Sequence, residues 1–229
     1  MTLISKSQIS PYIEIEALTD SDVKAANNAL NKIASKPIGN SLLKEISKKG
    51  KEEKMLMIQV DKSGLTSAKH ALSGIKYFQL VTAKDPRLSD TKMLLRSLSK
   101  RKSDGSKGEG ASAIVRFNPN IAVGTDENGN PYPELNPESA FIGLSHELIH
   151  AYYMMNGDWL GGGDMMDYLN ENSAVRHEED RAVGLGKYAN EMFTENKIRA
   201  EHGFPSRNSY VSIKSIQDLS DLGIDFKLK

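Results

Sequence analysis

Two histidines four residues apart in an otherwise apolar segment limit what this chain can fold into. From Pro137 to Met155 the residues read Pro-Glu-Ser-Ala-Phe-Ile-Gly-Leu-Ser-His-Glu-Leu-Ile-His-Ala-Tyr-Tyr-Met-Met. Asn136 can cap a helix here, Pro137 suits its first position, and Gly157 stops it. On such a helix His146 and His150 project from one face about one turn apart. Leu144, Leu148 and Ile149 give it an apolar body, so it belongs against a core, where polar members need partners.

That spacing lets two imidazole nitrogens reach one Zn²⁺ at about 2.0–2.1 Å. Glu147 is rotated off the ligand direction but stays near the metal's open position. As general base it can take a proton from bound water and pass it to a leaving amine. Chance placement yields His-Glu-x-x-His in about one chain in a hundred of this composition. The competing reading is a surface helix with two solvated histidines.

A catalytic zinc needs a third protein ligand. The chain has no cysteine. Position 153 is Tyr and position 156 is Asn, so the longer pattern ending in a third histidine fails. A carboxylate from a later helix remains, and Val175 to Val183 offers three. Glu179 shares a helical face with Val175, Ala182, Val183 and Gly186, where a carboxylate needs a cation. Glu178 shares its face with Ala174, Arg181 and Leu185 and can pair with Arg181, while Asp180 can pair with Arg176. The expected metal ligands are His146, His150 and Glu179, with Glu178 next and His177 after it. The alternative leaves all three acids solvated.

After the helix break at Gly203 and Pro205, Arg207 and Tyr210 place a guanidinium and a phenol three residues apart. Tyr210 can donate to the oxygen that gains charge as a carbonyl is attacked, and Arg207 can hold it or the substrate. A surface Arg and a half-buried Tyr are the plain alternative. Tyr152, Tyr153 and Trp159 read as packing.

The whole chain, of 229 residues with 38% hydrophobic and 26% charged residues, has ordinary globular composition for one domain. Zero net charge argues against a nucleic-acid partner. No apolar stretch reaches bilayer-spanning length, so no membrane partner is expected. Residues 20–49 read as two helices interrupted at Pro37-Ile38-Gly39-Asn40, and Lys92–Ser99 as another. Met55–Val60, Tyr77–Thr82 and Ala113–Phe117 read as strands. Lys100–Gly110 reads as a loop and Gly124–Pro137 as turn-dense, and two further helices are expected at Asn170–Val183 and Ala189–His202. The fold class is α+β, a small three-stranded antiparallel sheet packed beside the active-site helix. Residues 16–229 are expected to form a single domain and residues 1–15 to be disordered; Ser-rich and without the apolar core of a cleaved signal, they read either as an ordinary cytosolic N-terminus or as an uncleaved export address.

Four segments in order resemble the NleD-type effector metallopeptidases of bacterial type III secretion. They are His146 to Tyr152, Glu178-Glu179 before Ala182-Val183-Gly184-Leu185, Glu195-Asn196-Lys197-Ile198-Arg199, and Arg207 to Tyr210. The resemblance covers about residues 110 to 215. It implies a zincin-like endopeptidase, secreted into the host cytoplasm, that cuts mitogen-activated protein kinases of the JNK and p38 classes in the activation loop. It also implies an export address at residues 1 to about 15, which an export chaperone can recognise. The Arg207/Tyr210 pair resembles an Arg-x-x-Tyr element of clostridial neurotoxin light chains. In zincins with a Glu third ligand a small residue commonly sits three positions later, and Ala182 fits. The next position is often Asp and here is Val183, which leaves the second partner of each zinc histidine unassigned. Two other readings stand beside this one: a zinc peptidase toxin with another protein substrate, and a non-enzymatic helical interaction module.

Overall fold

Period-two burial marks the strands. In the computed structural model, which describes residues 2–162 and 165–210, Ile13, Ile15 and Ala17 turn inward from β2 (Ile13–Ala17) while Glu14 and Glu16 do not. β3 (Leu56–Val60) buries Leu56 and Ile58, and β5 (Ser112–Phe117) buries Ala113, Val115 and Phe117. With β1 (Leu3–Lys6) and β4 (Ser67–Ala71) they form a sheet of order β1-β2-β3-β5-β4. β3 runs parallel to both β2 and β5, and β1 and β4 are antiparallel edges.

Parallel neighbours need a crossover connection. α1 (Asp20–Ala34) and α2 (Pro37–Lys51) supply it between β2 and β3. α1 begins where the Thr19 side chain accepts from the Asp22 N–H, and α2 begins on Pro37, whose missing N–H costs nothing there. α3 (Gly74–Thr82) and α4 (Thr91–Ser99) connect β4 to β5. β6 (Ile121–Thr125) and β7 (Pro131–Leu135) pair as a separate hairpin.

α5 (Ala140–Met155) is buried on almost every side, as a helix apolar all round must be. It lies over β5 and β4, with α1, α2, α7 (Ala174–Val183) and α8 (Glu195–Glu201) against its other sides. α6 (Met165–Leu169) precedes α7. Leu144, Leu148, Ile149 and Met155 of α5 join Ile15, Ile58, Val115 and Leu30 in one core. The histidines are therefore held on the most enclosed element of the molecule.

The α+β plan stands, and three expectations are corrected. The sheet is five-stranded and mixed, not three-stranded and antiparallel. Tyr77–Thr82, expected as a strand, lies in α3: Ser73 caps that helix, and its apolar residues fall at Tyr77, Phe78, Leu80 and Val81, a helical spacing. Residues 1–15, expected to be disordered, contain β1 and most of β2. Ile13 and Ile15 are fully buried there, and β2 pairs with β3, so this stretch is part of the core. The expected end of the domain, residues 211–229, lies outside the described residues.

Gly184 governs how α7 meets α8. It closes α7 in the left-handed region, with φ of 90°, and a Cβ there would lie 2.7 Å from the Thr194 Cβ. Thr194 in turn caps α8. Gly184→Ala is expected to combine left-handed strain with a clash and to lower the melting temperature by about 4–8 °C in a thermal scan. An unchanged melting temperature would show that this approach is not tight.

Candidate metal centre

Helical spacing on α5 and one turn of α7 build the site. His146 and His150 face α7, and the Glu179 carboxylate meets both. Glu179 Oε2 lies 3.1 Å from His146 Nε2 and 3.1 Å from His150 Nε2, and the two Nε2 atoms are 3.0 Å apart. All three side chains are buried. Ligands at about 2.0–2.1 Å around a tetrahedral ion sit roughly 3.3 Å from one another, so this triangle fits a zinc ion with little adjustment.

The other ring nitrogens are already committed. His146 Nδ1–H donates to Glu195 Oε2 at 2.9 Å, and His150 Nδ1–H donates to Glu178 Oε1 at 3.1 Å. With Nδ1 protonated on each ring, both Nε2 lone pairs point into the triangle, the tautomer a metal requires. Glu195 is held by Arg199 Nε at 2.6 Å and Arg207 Nη1 at 2.7 Å. Glu178 is held by the Arg181 guanidinium and by the Leu160 N–H at 3.1 Å. Two of the three buried carboxylates thus have arginine partners. Glu179 has none among the described residues; only the two imidazoles face it.

The electrostatics follow from that imbalance. Desolvation alone would lower the imidazole pKa values. For His146 it is outweighed by hydrogen bonds to Glu179 and Glu195, and for His150 by the charge of Glu179 and the hydrogen bond to Glu178, so both are raised. Desolvation likewise pushes Glu179 up, but the two histidines hold it well below the usual carboxylate range. Without a metal the site takes up protons to supply the cation Glu179 needs. Two imidazoles and a carboxylate are the donor set of a catalytic zinc, and zinc is the ion they fit.

Glu147 lies beside this triangle, half-buried. Burial raises its pKa, against the charges of His146 and His150, and the Ala68 N–H of edge strand β4 donates to its carboxylate. Tyr210 stacks on His146 with centroids 6.2 Å apart, and Tyr168 stacks on Tyr210 at 5.9 Å. Burial, and next the charge of Glu179, raise the Tyr210 phenol well above its ordinary value, so it stays a donor. Arg207 also donates to the Tyr210 carbonyl at 2.6 Å. The arm carrying both residues is anchored: Arg207 N–H donates to Asn196 Oδ1, and Asn208 N–H to the Gly129 carbonyl in the β6–β7 turn.

A sequence model of peptidase family M91, described as effector protein, matches residues 14–210. The chain belongs to the M91 peptidase family of effector proteins. The match spans every element that builds the site, from β2 to Tyr210. Among solved structures, the botulinum neurotoxin type G light chain is similar at 17% identity over 64% of this chain and 44% of that chain, with a TM-score of 0.39. The Clostridium botulinum serotype F light chain is similar at 15% identity over 85% of this chain and 70% of that one, with a TM-score of 0.46. This M91 chain therefore spans less than half the length of the type G light chain. Among curated protein sequences none matches it.

Of the residues singled out in the sequence of this M91 member, the structure gathers His146, Glu147, His150, Glu179, Arg207 and Tyr210 at one place. Glu178 is at the site too, on the far nitrogen of His150 rather than in the triangle. His177 is not; it meets the Tyr188 ring. Asp180 pairs with Arg176 at 2.9 Å. Tyr153 carries the Arg181 guanidinium 3.5 Å from its ring centre, and so buttresses Glu178. Sequence reasoning missed Glu195, Arg199 and Tyr168. The segment Glu195 to Arg199 was noted only for its resemblance; the signal for the first two was its i, i+4 acid–base pair on a helix that also carries apolar Ile198, and the structure buries both members almost fully.

Proposed function

We propose that this chain is a zinc-dependent endopeptidase of host proteins in which His146, His150 and Glu179 hold the metal and Glu147 is the general base. The observation that carries the reading is Glu179: a buried carboxylate with no arginine or lysine partner among the described residues, facing two Nε2 lone pairs. When bound, zinc lowers the pKa of water and polarises the scissile carbonyl.

The chain's own residues do the rest. Glu147, braced by the Ala68 N–H, takes the proton from the attacking water and delivers it to the leaving amine. The Tyr210 phenol donates to the carbonyl oxygen as charge grows on it. Arg207 is a positioning residue, since its guanidinium is spent on Glu195 and the Tyr210 carbonyl. Glu178 and Glu195 orient the ligand rings and hold the proton on Nδ1, which leaves each Nε2 for the metal. Edge strand β4, beside Glu147, offers unpaired backbone groups along which an extended substrate segment can lie.

For the substrate we propose mitogen-activated protein kinases of the JNK and p38 classes, cut in the activation loop after delivery through a type III system. The support is membership of an effector family and the order of the four sequence segments. An export chaperone acting on the first 15 residues belongs to the same proposal. Incubation of the zinc-loaded chain with JNK and p38 is expected to give one cut in the activation loop, abolished by a chelator. Intact kinases alongside cleavage of other host proteins would overturn the substrate. Intact proteins throughout, with zinc bound, would overturn the peptidase itself.

A further inference from the structure

The α3–α4 unit carries a surface that the peptidase reading leaves unused. α3 buries only Leu80 fully. Its other large apolar side chains face solvent: Ile75 is 51% exposed, Tyr77 56%, Phe78 71% and Val81 46%, and Met93 on α4 is 60% exposed. Beneath them Leu80, Leu94, Leu98 and Ala111 pack into a cluster of their own, so the exposed set stands on an ordered base. Apolar groups collected in this way on one short helix mark a contact site.

Charge says what the contact is. From Gly74 to Gly110 nine Lys and Arg stand against four Asp and Glu, in a chain whose net charge is zero. Lys76, Arg87 and Arg101 pair with Glu109, Asp85 and Asp158. Lys84 at the end of α3, and Lys92 and Arg96 on the exposed side of α4, have no carboxylate partner among the described residues. The unit thus carries unpaired bases as well as exposed aromatic and aliphatic tips, and Lys84 adjoins them directly, its N–H donating to the Val81 carbonyl at 3.0 Å.

We propose that the α3–α4 face docks on an anionic lipid surface. Ile75, Tyr77, Phe78 and Val81 enter the boundary between headgroups and acyl chains, while Lys84, Lys92 and Arg96 meet acidic headgroups. Protruding side chains suit a fluid surface that yields around them, and unpaired bases on flexible stems suit headgroups that rearrange to meet them. The expectation of no membrane partner rested on spanning length. No described helix is long and apolar enough to cross a membrane, and surface attachment needs no span. Because β4 leads directly into α3, docking would hold the cleft-side strand near the membrane surface.

The test is sedimentation of the full chain with vesicles of phosphatidylcholine containing about one third phosphatidylserine, against pure phosphatidylcholine. Binding to the anionic vesicles alone is expected, weakening as salt rises. Phe78→Ser with Val81→Ser should lower the partition coefficient at least about tenfold. Lys84→Glu, Lys92→Glu and Arg96→Glu should each lower it about fivefold and remove the salt dependence together. An unchanged thermal melt shows that each variant is folded. No binding to anionic vesicles, or binding that survives both sets of substitutions, would overturn the proposal. So would a concentration-dependent dimer abolished by Phe78→Ser, which would make a second copy of this chain the occupant.

Discussion

Glu147→Gln is expected to bind zinc as tightly as the parent chain and to lose about a hundred- to ten-thousandfold in kcat/KM. The amide keeps the volume of the carboxylate and one of its oxygens, so the Ala68 N–H retains an acceptor and α5 has no reason to move. What is lost is the ability to accept a proton. Glu147 is absent from the triangle formed by His146, His150 and Glu179, so metal content has no reason to fall. Zinc analysis beside steady-state kinetics reads both quantities. A variant that keeps zinc and still cuts at the parent rate would remove Glu147 from the mechanism. Loss of zinc would instead make it part of the cage. The same group sets a pH limit. Burial raises its pKa in the metal-free chain and the charge of bound zinc opposes that rise, so the acid limb of kcat/KM should follow the balance of the two.

What could be read from sequence and what could not divide along physical lines. The His146/His150 spacing was legible because a helix converts four residues into one turn, and an apolar helix has one place to go. The choice of Glu179 over Glu178 was an argument about faces: Val175, Ala182 and Val183 cannot share a side with a solvated acid. The helices 20–49 and 92–99 were legible from period and caps. The strands β1, β2 and β4 were not. Ile13-Glu14-Ile15-Glu16 alternates clearly, but its position within the first fifteen residues favoured an export segment over a strand. Ser67-Ala68-Lys69-His70-Ala71 carries no β-branched residue and is a strand because β5 pairs with it. α3 was misread because aromatic and β-branched residues suggest a strand, and a helix that leaves them exposed breaks the usual rule of burial. Glu195 was invisible as a site residue for a different reason. Its function exists only through His146, 49 residues away in sequence, and no local pattern encodes that distance.

Glu179→Ala should abolish zinc binding at micromolar metal, whereas Glu178→Ala should lower affinity by about ten- to a hundredfold and retain the ion when zinc is in excess. The difference lies in which nitrogen each acid serves. Removing Glu179 takes away one corner of the triangle and leaves two imidazoles that cannot hold a catalytic zinc alone. Removing Glu178 leaves all three corners but frees the far nitrogen of His150 and leaves the Arg181 guanidinium to Asp158 and the Tyr153 ring. The metal-free protein offers an independent readout. Its histidines are raised above 6.5 and Glu179 is lowered below 4.5, so their mutual attraction is fully present between those values. It fades as pH falls through the lowered Glu179 value, and as pH rises through the raised imidazole values, where Glu179 would face neutral rings. Stability of the metal-free chain should therefore decline on the alkaline side, and added zinc should restore it by supplying the missing cation. In Glu179→Ala the alkaline decline should shrink, because Glu195 and Glu178 still face the rings, and no rescue by zinc is expected. If Glu179→Ala kept a full equivalent of zinc while Glu178→Ala lost it, the third ligand would be Glu178 and α7 would have to turn to present it.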